Sequence, residues 1–315
     1  MVKVAVAAPG EVAREIIDGL VASGKHEVVI LARRDPNPGG EIPGTTWLKV
    51  DFQNKADIAQ KLRGVHTVLS FVNAVSDPGS VAQIALVDAA VEAGVKRFAP
   101  SEWFVARHDR LNWLAGKDIV RKYLEDINKD KKVIEYSLFQ VGMFMDYLAG
   151  PKQATKHIAK NNFLIDVDGG RALLPGDGAQ LLTFTAIQDV VNIVVKAIDY
   201  EGEWPKIGGI RGVTASLRQG VEVSEKIAGK KFEIEVLDIQ DLRAGVLKSS
   251  FTPKLDHPAI RELDEATKTA FISSAYTSLL VTVVEGHAVI SDEWNRIFPD
   301  YKFLGFDEFI SKTLA

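Results

Sequence analysis

Six short β-rich runs, separated by helical patterns, constrain this chain more than any other feature of its 315 residues. They are "VKVAVAA" (2–8), "HEVVILA" (26–32), "TTWLKVDF" (45–52), "HTVLSFV" (66–72), "VKRFAPS" (95–101) and "VIEYSLFQV" (133–141). Helical segments are expected at 11–23, 55–65, 81–94 and 111–129; in the first, Val12, Ile16 and Leu20 share a face. Strands that alternate with helices at this spacing build βαβ units, and so a mostly parallel sheet covered on both faces. Right-handed crossovers then bring the C-terminal strand ends, and any ligand, to one edge. The expected fold is α/β: a Rossmann-type, doubly wound NAD(P)-binding domain over 1–150 and a smaller α/β substrate-binding lobe over 151–315 that interleaves with it.

The pattern loosens after Gly150. "FLIDVDGGRALLPGDGAQLLTFT" (163–185) reads as strands joined by Gly and Asp turns, and 186–199 as a buried apolar helix. Residues 212–238 read as a Ser216 N-cap, a helix, a Gly229 stop and a strand, and the tail from Pro258 reads as helical.

Composition removes several function classes. The net charge of −4 argues against a nucleic-acid partner, since phosphate backbones attract basic stripes. No run reaches the roughly 18 apolar residues of a membrane span. Glu11, Arg14, Glu15 and Asp18 interrupt any signal-peptide core at the start of the chain. The absence of cysteine excludes disulfides, thiolate metal sites and cysteine nucleophiles, and fits a cytoplasmic protein. The six histidines are scattered without ligand spacing, so no metal is expected.

The first strand–turn–helix corner is where a dinucleotide pyrophosphate would sit. Three glycines usually make that turn, admit the phosphates and let the helix pack on the strand. Here the frame is Ala7-x-x-Gly10-x-x-Ala13, with Pro9, Glu11 and Val12 completing the corner. Pro9 deletes one N–H and is expected to push Ala8 into an extended conformation. Glu11 suits the helix dipole but would repel a pyrophosphate if it turned inward. Beyond the second strand, Arg33 and Arg34 stand where an acidic residue would accept the ribose hydroxyls of NAD. Two guanidiniums suit a 2′-phosphate, which points to NADP(H); the alternative is a solvated basic turn.

"IALVDAAVEAGVKRFAPSEW" (84–103), "KDIVRKYLED" (117–126) and "SLFQVGMFMDYLAG" (137–150) together resemble the isoflavone reductase-like and NmrA-like family of atypical short-chain dehydrogenase/reductases, most closely its fungal members. The resemblance runs over nearly the whole chain. It implies an NADPH-binding Rossmann-type lobe, a substrate lobe and reduction of phenolic or conjugated small molecules in secondary metabolism. It also admits members that sense the dinucleotide without turning it over. The family's K-x-x-V-R pattern falls on Lys117 and Arg121, so the resemblance makes Lys117 the general acid/base. Two departures stand out. The glycine turn is one residue shorter than the family's, and the family's P-S-E-F-G is here Pro100-Ser101-Glu102-Trp103-Phe104, with a phenyl in place of glycine.

Arg121, one turn after Lys117, is a like charge that together with partial burial would lower the lysine pKa. Strand-end positions, with Lys117 itself, complete the expected cofactor contacts: Asp51, Phe52, Ser70, Phe71, Val72, Ser101, Glu102, Gln140 and Gly142. Trp103, Phe104, Phe144, Met145 and Tyr147 are the expected substrate wall of a monomer or homodimer acting on a hydrophobic small molecule. No Y-x-x-x-K pair and no G-x-S-x-G elbow occurs. Three readings stay open: an NADPH-dependent reductase, a redox-neutral isomerase, cyclase or hydrolase using Lys117, and an NADP-sensing regulator.

Overall fold

The computed structural model describes residues 1–36, 40–149, 155–158, 162, 164–251, 253, 260 and 262–314. In chain order the elements are β1 (Lys3–Ala7), α1 (Glu11–Ser23), β2 (Glu27–Ala32), β3 (Thr45–Lys49), α2 (Lys55–Lys61), β4 (Thr67–Ser70), α3 (Val81–Glu92), β5 (Arg97–Ala99), α4 (Ala115–Ile127), β6 (Glu135–Tyr136) and β7 (Leu138–Gln140). They continue with β8 (Met143–Phe144), β9 (Ile165–Asp166), β10 (Arg171–Pro175), β11 (Leu181–Thr185), α5 (Ile187–Asp199), β12 (Ile207–Gly209), β13 (Val213–Ser216), α6 (Leu217–Ala228), β14 (Glu233–Leu237), α7 (Ile239–Arg243), α8 (Glu265–Val284), α9 (Glu293–Ile297) and α10 (Phe306–Leu314). Two compact units share the chain. The first is Met1–Trp103, Leu114–Gln140 and Val190–Gly209; the second is Phe104–Trp113, Val141–Asp189 and Ile210–Ala315.

The first unit is built on a six-stranded sheet in the order β3-β2-β1-β4-β5-β6. Every pairing in it is parallel. This is the doubly wound arrangement that the alternation of strand and helix patterns predicts. Val4, Ala5, Val6 and Ala7 of β1 are fully buried, as a central strand covered on both faces requires. The order reverses between β1 and β4, where Ala7 pairs with Leu31 on one side and Ser70 on the other. That reversal opens the ligand crevice of such sheets at the strands' C-terminal ends.

The run expected as one strand over 133–141 divides in two at Ser137. β6 continues the main sheet beside β5, whereas β7 pairs with β12. The Leu138 N–H donates to the Lys206 carbonyl (2.8 Å), so the chain has changed partner within three residues. The helix expected over 111–129 begins as a 3₁₀ turn at Asn112–Leu114 and becomes α-helical at Ala115.

Arg97 ties α5 to this sheet. Its guanidinium donates to the carbonyls of Tyr200 (2.7 Å) and Gly202 (2.7 Å), just past the C-terminus of α5. It also pairs with Glu135 (2.8 Å) and lies over the Trp204 ring. A nearly buried cation is tolerated because carbonyls, a carboxylate and a π-face replace its water.

The second unit holds two three-stranded sheets, β14-β10-β9 and β13-β11-β8. α6 starts at a Ser216–Gln219 capping box and stops at Gly229 in the left-handed region (φ 66°), as its sequence predicts. Gly142 also has a positive φ (70°), and a Cβ there would lie 2.3 Å from the Thr183 carbonyl oxygen. The expected helical tail is seen as α8, α9 and α10; Pro258, where it was expected to begin, lies outside the described residues, as does Phe163. Among the described residues no helix is long and apolar enough to cross a membrane.

Replacing Arg97 by Leu leaves two carbonyls past α5 without their donor, while Glu135 keeps Lys132 (3.1 Å) and the Trp204 N–H (3.1 Å). It should cost about 1.5–3 kcal/mol in urea unfolding. A loss below about 1 kcal/mol, the size of a surface pair, would contradict this account of α5.

Candidate functional site

The strand–turn–helix corner differs from its expected backbone at one residue. Ala8 is not extended: its φ is +60°, a region that L-residues enter at a cost of about 1–2 kcal/mol. Two hydrogen bonds hold it there. The Ala8 N–H donates to Leu31 O (2.9 Å), prolonging the β1–β2 ladder, and the Gly10 N–H donates to Ala8 O (2.8 Å) around Pro9. Ala8 thus adopts a backbone conformation that glycine enters more readily.

Gly10 is the N-cap of α1, at φ −79° and ψ −167°, and no side chain caps the helix. Neither backbone angle requires glycine, and a Cβ at Gly10 would meet nothing within 4 Å. The space left above a helix N-terminus, with its unsatisfied N–H groups and positive dipole end, is the cradle a pyrophosphate needs. Ala7 is buried, Pro9 and Val12 are half-buried, and Glu11 is exposed.

Arg33 and Arg34 follow β2 and are both exposed. The Trp47 indole N–H of β3 donates to the Arg34 carbonyl (2.9 Å), a contact that sequence reading did not find. Asp51 is exposed and Phe52 is buried beyond β3. These residues fit a nucleotide carrying a 2′-phosphate: an open helix N-terminus for the pyrophosphate and two guanidiniums past the second strand.

At the ends of β4 and β5 the candidate residues form one network. Ser70 is fully buried; its hydroxyl donates to Gln83 Oε1 (3.1 Å), which also accepts the Ser101 N–H (2.6 Å). Gln83 is held in turn by Asp77, whose carboxylate accepts the Ala82 and Gln83 N–H groups at the start of α3 (2.9 and 3.1 Å). Lys117, 7% exposed on α4, donates from Nζ to the carbonyls of Ser101 and Glu102, the latter at 2.7 Å. One turn on, Arg121 pairs through Nε (3.0 Å) and Nη2 with the buried Glu102 carboxylate. The segment leaves this network through Trp103, at φ +44°, whose indole donates to Ser70 O (2.8 Å). Its ring is stacked between Phe71 (4.6 Å) and Phe139 (5.2 Å).

Burial is the largest influence on Lys117 and brings its pKa from 10.5 down to about 8. Glu102 opposes this, and Arg121 assists in the expected direction but less than burial does. The sequence signal for Gln83 was faint: one amide in the apolar run of α3, which a buried face admits only when it is bonded.

Val72 and Gln140 are buried in the same unit, at the ends of their strands. The remaining candidates belong to the second unit. Gly142 is bound to its position by its backbone and its contact with β11, as above. Phe144 and Tyr147 meet edge to face (5.7 Å), Met145 is fully buried, and Phe104 packs on Trp113 (6.4 Å).

A model of the NmrA-like family matches residues 3–310. "Oxidoreductase swnN" of Metarhizium robertsii is 23% identical over 336 aligned residues, covering 98% of this chain and 96% of that protein. "Oxidoreductase BOA1" of Botryotinia fuckeliana is 30% identical over 236, covering 74% of this chain and 78% of its own length. Among solved structures, the NADPH-dependent quinone oxidoreductase QOR2 of Escherichia coli, complexed with NADPH, superposes with a TM-score of 0.70 at 19% identity, over 99% of this chain and 100% of that one. At that identity the likeness is one of fold.

The depressed lysine carries a sign that can be measured. Below pH 8 Lys117 is protonated whether the chain is folded or not, and the burial penalty is fully present. Between pH 8 and 10.5 the folded protein has released this proton and the unfolded chain has not, so raising the pH favours folding. The stability of the wild type relative to Lys117→Met should therefore rise by about 2–3 kcal/mol from pH 7 to pH 10.5 in urea unfolding. A difference that stays flat over this range would contradict the assignment.

Proposed function

This chain belongs to the NmrA-like family, and from that membership and the geometry of Lys117 we propose that it is an NADPH-dependent reductase of a hydrophobic, conjugated small molecule. The arrangement of Lys117 carries the reading. An ammonium has three N–H bonds, and here two are given to the Ser101 and Glu102 carbonyls. One N–H is left to transfer. After transfer the neutral amine still has two N–H bonds for the same two carbonyls, so no hydrogen bond is lost during the proton's departure and return. A pKa of about 8 keeps both forms accessible near neutral pH, as a general acid/base requires.

A bound nicotinamide coenzyme would supply the hydride. This chain's own groups do the rest. Gly10 and the N-terminus of α1 would receive the pyrophosphate, and Arg33 and Arg34 would take the 2′-phosphate. Lys117 delivers a proton to the oxygen on which negative charge develops when an electrophilic carbon of the substrate accepts hydride. The substrate would thus gain one hydride, from the coenzyme, and one proton, from Lys117. Support comes from relatives named oxidoreductases and from a structural neighbour solved with NADPH. The half-buried aromatic side chains Phe104 and Tyr147 favour an apolar substrate; a quinone or an enone has the required electrophilic carbon.

Nicotinamide fluorescence titration tests the binding half. NADPH should bind more tightly than NADH, and Arg33→Ala with Arg34→Ala should weaken NADPH by about 10–100-fold with little effect on NADH. Lys117→Ala should lower turnover of a quinone substrate by about 10²–10⁴-fold while NADPH affinity is kept. Failure of the wild type to bind either nucleotide would overturn the reading and favour redox-neutral acid–base chemistry at Lys117.

A further inference from the structure

The turn that carries Arg33 and Arg34 is held from the neighbouring strand. Among the described residues β3 is the edge strand of the main sheet and pairs there with β2 alone, with Trp47 opposite Ile30 and Lys49 opposite Ala32. Alternate residues of a strand share a face, so Trp47 and Lys49 project on the same side. Each reaches past the end of β2. The Trp47 indole N–H donates to Arg34 O at 2.9 Å, and Lys49 Nζ lies 3.4 Å from the Asp35 carboxylate. The Val50 N–H adds a third point, donating to Ala32 O at 2.8 Å. The chain from Ala32 to Asp35 is thus gripped three times within four residues, although Arg33, Arg34 and Asp35 are all exposed.

Little in this arrangement serves the stability of the unit. Lys49 and Asp35 are 62% and 72% exposed, and such pairs contribute little. Trp47 is half-buried on an edge strand, where phenylalanine would pack comparably; what the indole adds is its N–H. The effect falls on the backbone between the two arginines and the next carboxylate. Fixing that backbone reduces the entropy lost when two long guanidinium side chains close on a phosphate. Engaging Asp35 removes an anion that would compete for the same guanidiniums.

We infer that Trp47 is a positioning residue for coenzyme choice: by holding the Arg34 carbonyl it orients the two-arginine turn and sets the preference for a 2′-phosphorylated nucleotide. The inference rests on the NADPH reading above. Trp47 acts only through Arg33 and Arg34, so its effect is confined to ligands that carry the 2′-phosphate.

Trp47→Phe removes the N–H and keeps an aromatic ring. It should raise the NADPH dissociation constant by about 3–10-fold and leave NADH within about twofold. In an Arg33→Ala/Arg34→Ala background the same substitution should change neither, because the residues it acts through are gone. Equal losses for both nucleotides, or a full effect in the double-alanine background, would mean a general packing role and overturn the inference. A wild type without preference for NADPH would defeat the underlying reading and this inference together; a wild-type preference that survives Trp47→Phe defeats this inference alone. Should the variant fail to fold, the wild-type Trp47 indole N–H resonance gives the answer. It should shift on addition of adenosine 2′,5′-bisphosphate and not of 5′-AMP, and equal responses to both would count against the inference.

Discussion

A buried ammonium has to be solvated by protein, and the sheet edge of the first unit is organised around meeting that demand. Lys117 finds its acceptors in two consecutive carbonyls, Ser101 and Glu102. Consecutive peptide carbonyls in an extended strand point to opposite sides, so they can serve one donor only if the chain turns sharply. It does so here: the Glu102 N–H donates back to Pro100 O (2.8 Å), and Trp103 follows in the left-handed region. That strained residue is secured by its N–H to Phe139 O, its indole N–H to Ser70 O and aromatic rings on both faces. Lysine and turn therefore depend on each other. The same low-dielectric surroundings that make the carbonyls necessary also lower the lysine pKa into a range useful for proton transfer.

Glu102 and Arg121 complete this arrangement. The carboxylate is almost wholly buried and receives the Arg121 fork, so the cation one turn beyond Lys117 arrives with its countercharge. Glu102 raises the lysine pKa and Arg121 lowers it, and the two effects oppose each other. Burial is left as the deciding influence. A like charge on the neighbouring helical turn, visible in the sequence, is thus less decisive than the desolvation that only the fold reveals.

Much of this architecture was legible in the chain itself. The parallel, doubly wound sheet followed from β-rich runs at βαβ spacing, and the α6 boundaries from Ser216 and Gly229, because these signals are local. The features that escaped are set by partners distant in sequence. Ser137 ends a strand because Leu138 finds Lys206, nearly seventy positions on. Ala8 leaves the extended region expected before a proline because Leu31 and Gly10 hold it in place. Gln83 and Trp47 stood out in no motif; the structure puts a serine amide and an arginine carbonyl beside them. Lys117 was marked by a pattern; that it shares its hydrogens between two carbonyls could not be read from any spacing.

The most direct test of this account is to watch that lysine titrate. In protein labelled with ¹³C at lysine Cε, the resonance missing from Lys117→Met identifies Lys117, and its shift can be followed between pH 6 and 11. The account predicts a midpoint of about 8, well below the ordinary lysine value. A midpoint at the ordinary lysine value of about 10.4 would show an ammonium at no disadvantage in its surroundings, and would contradict Lys117 as a proton donor poised for catalysis.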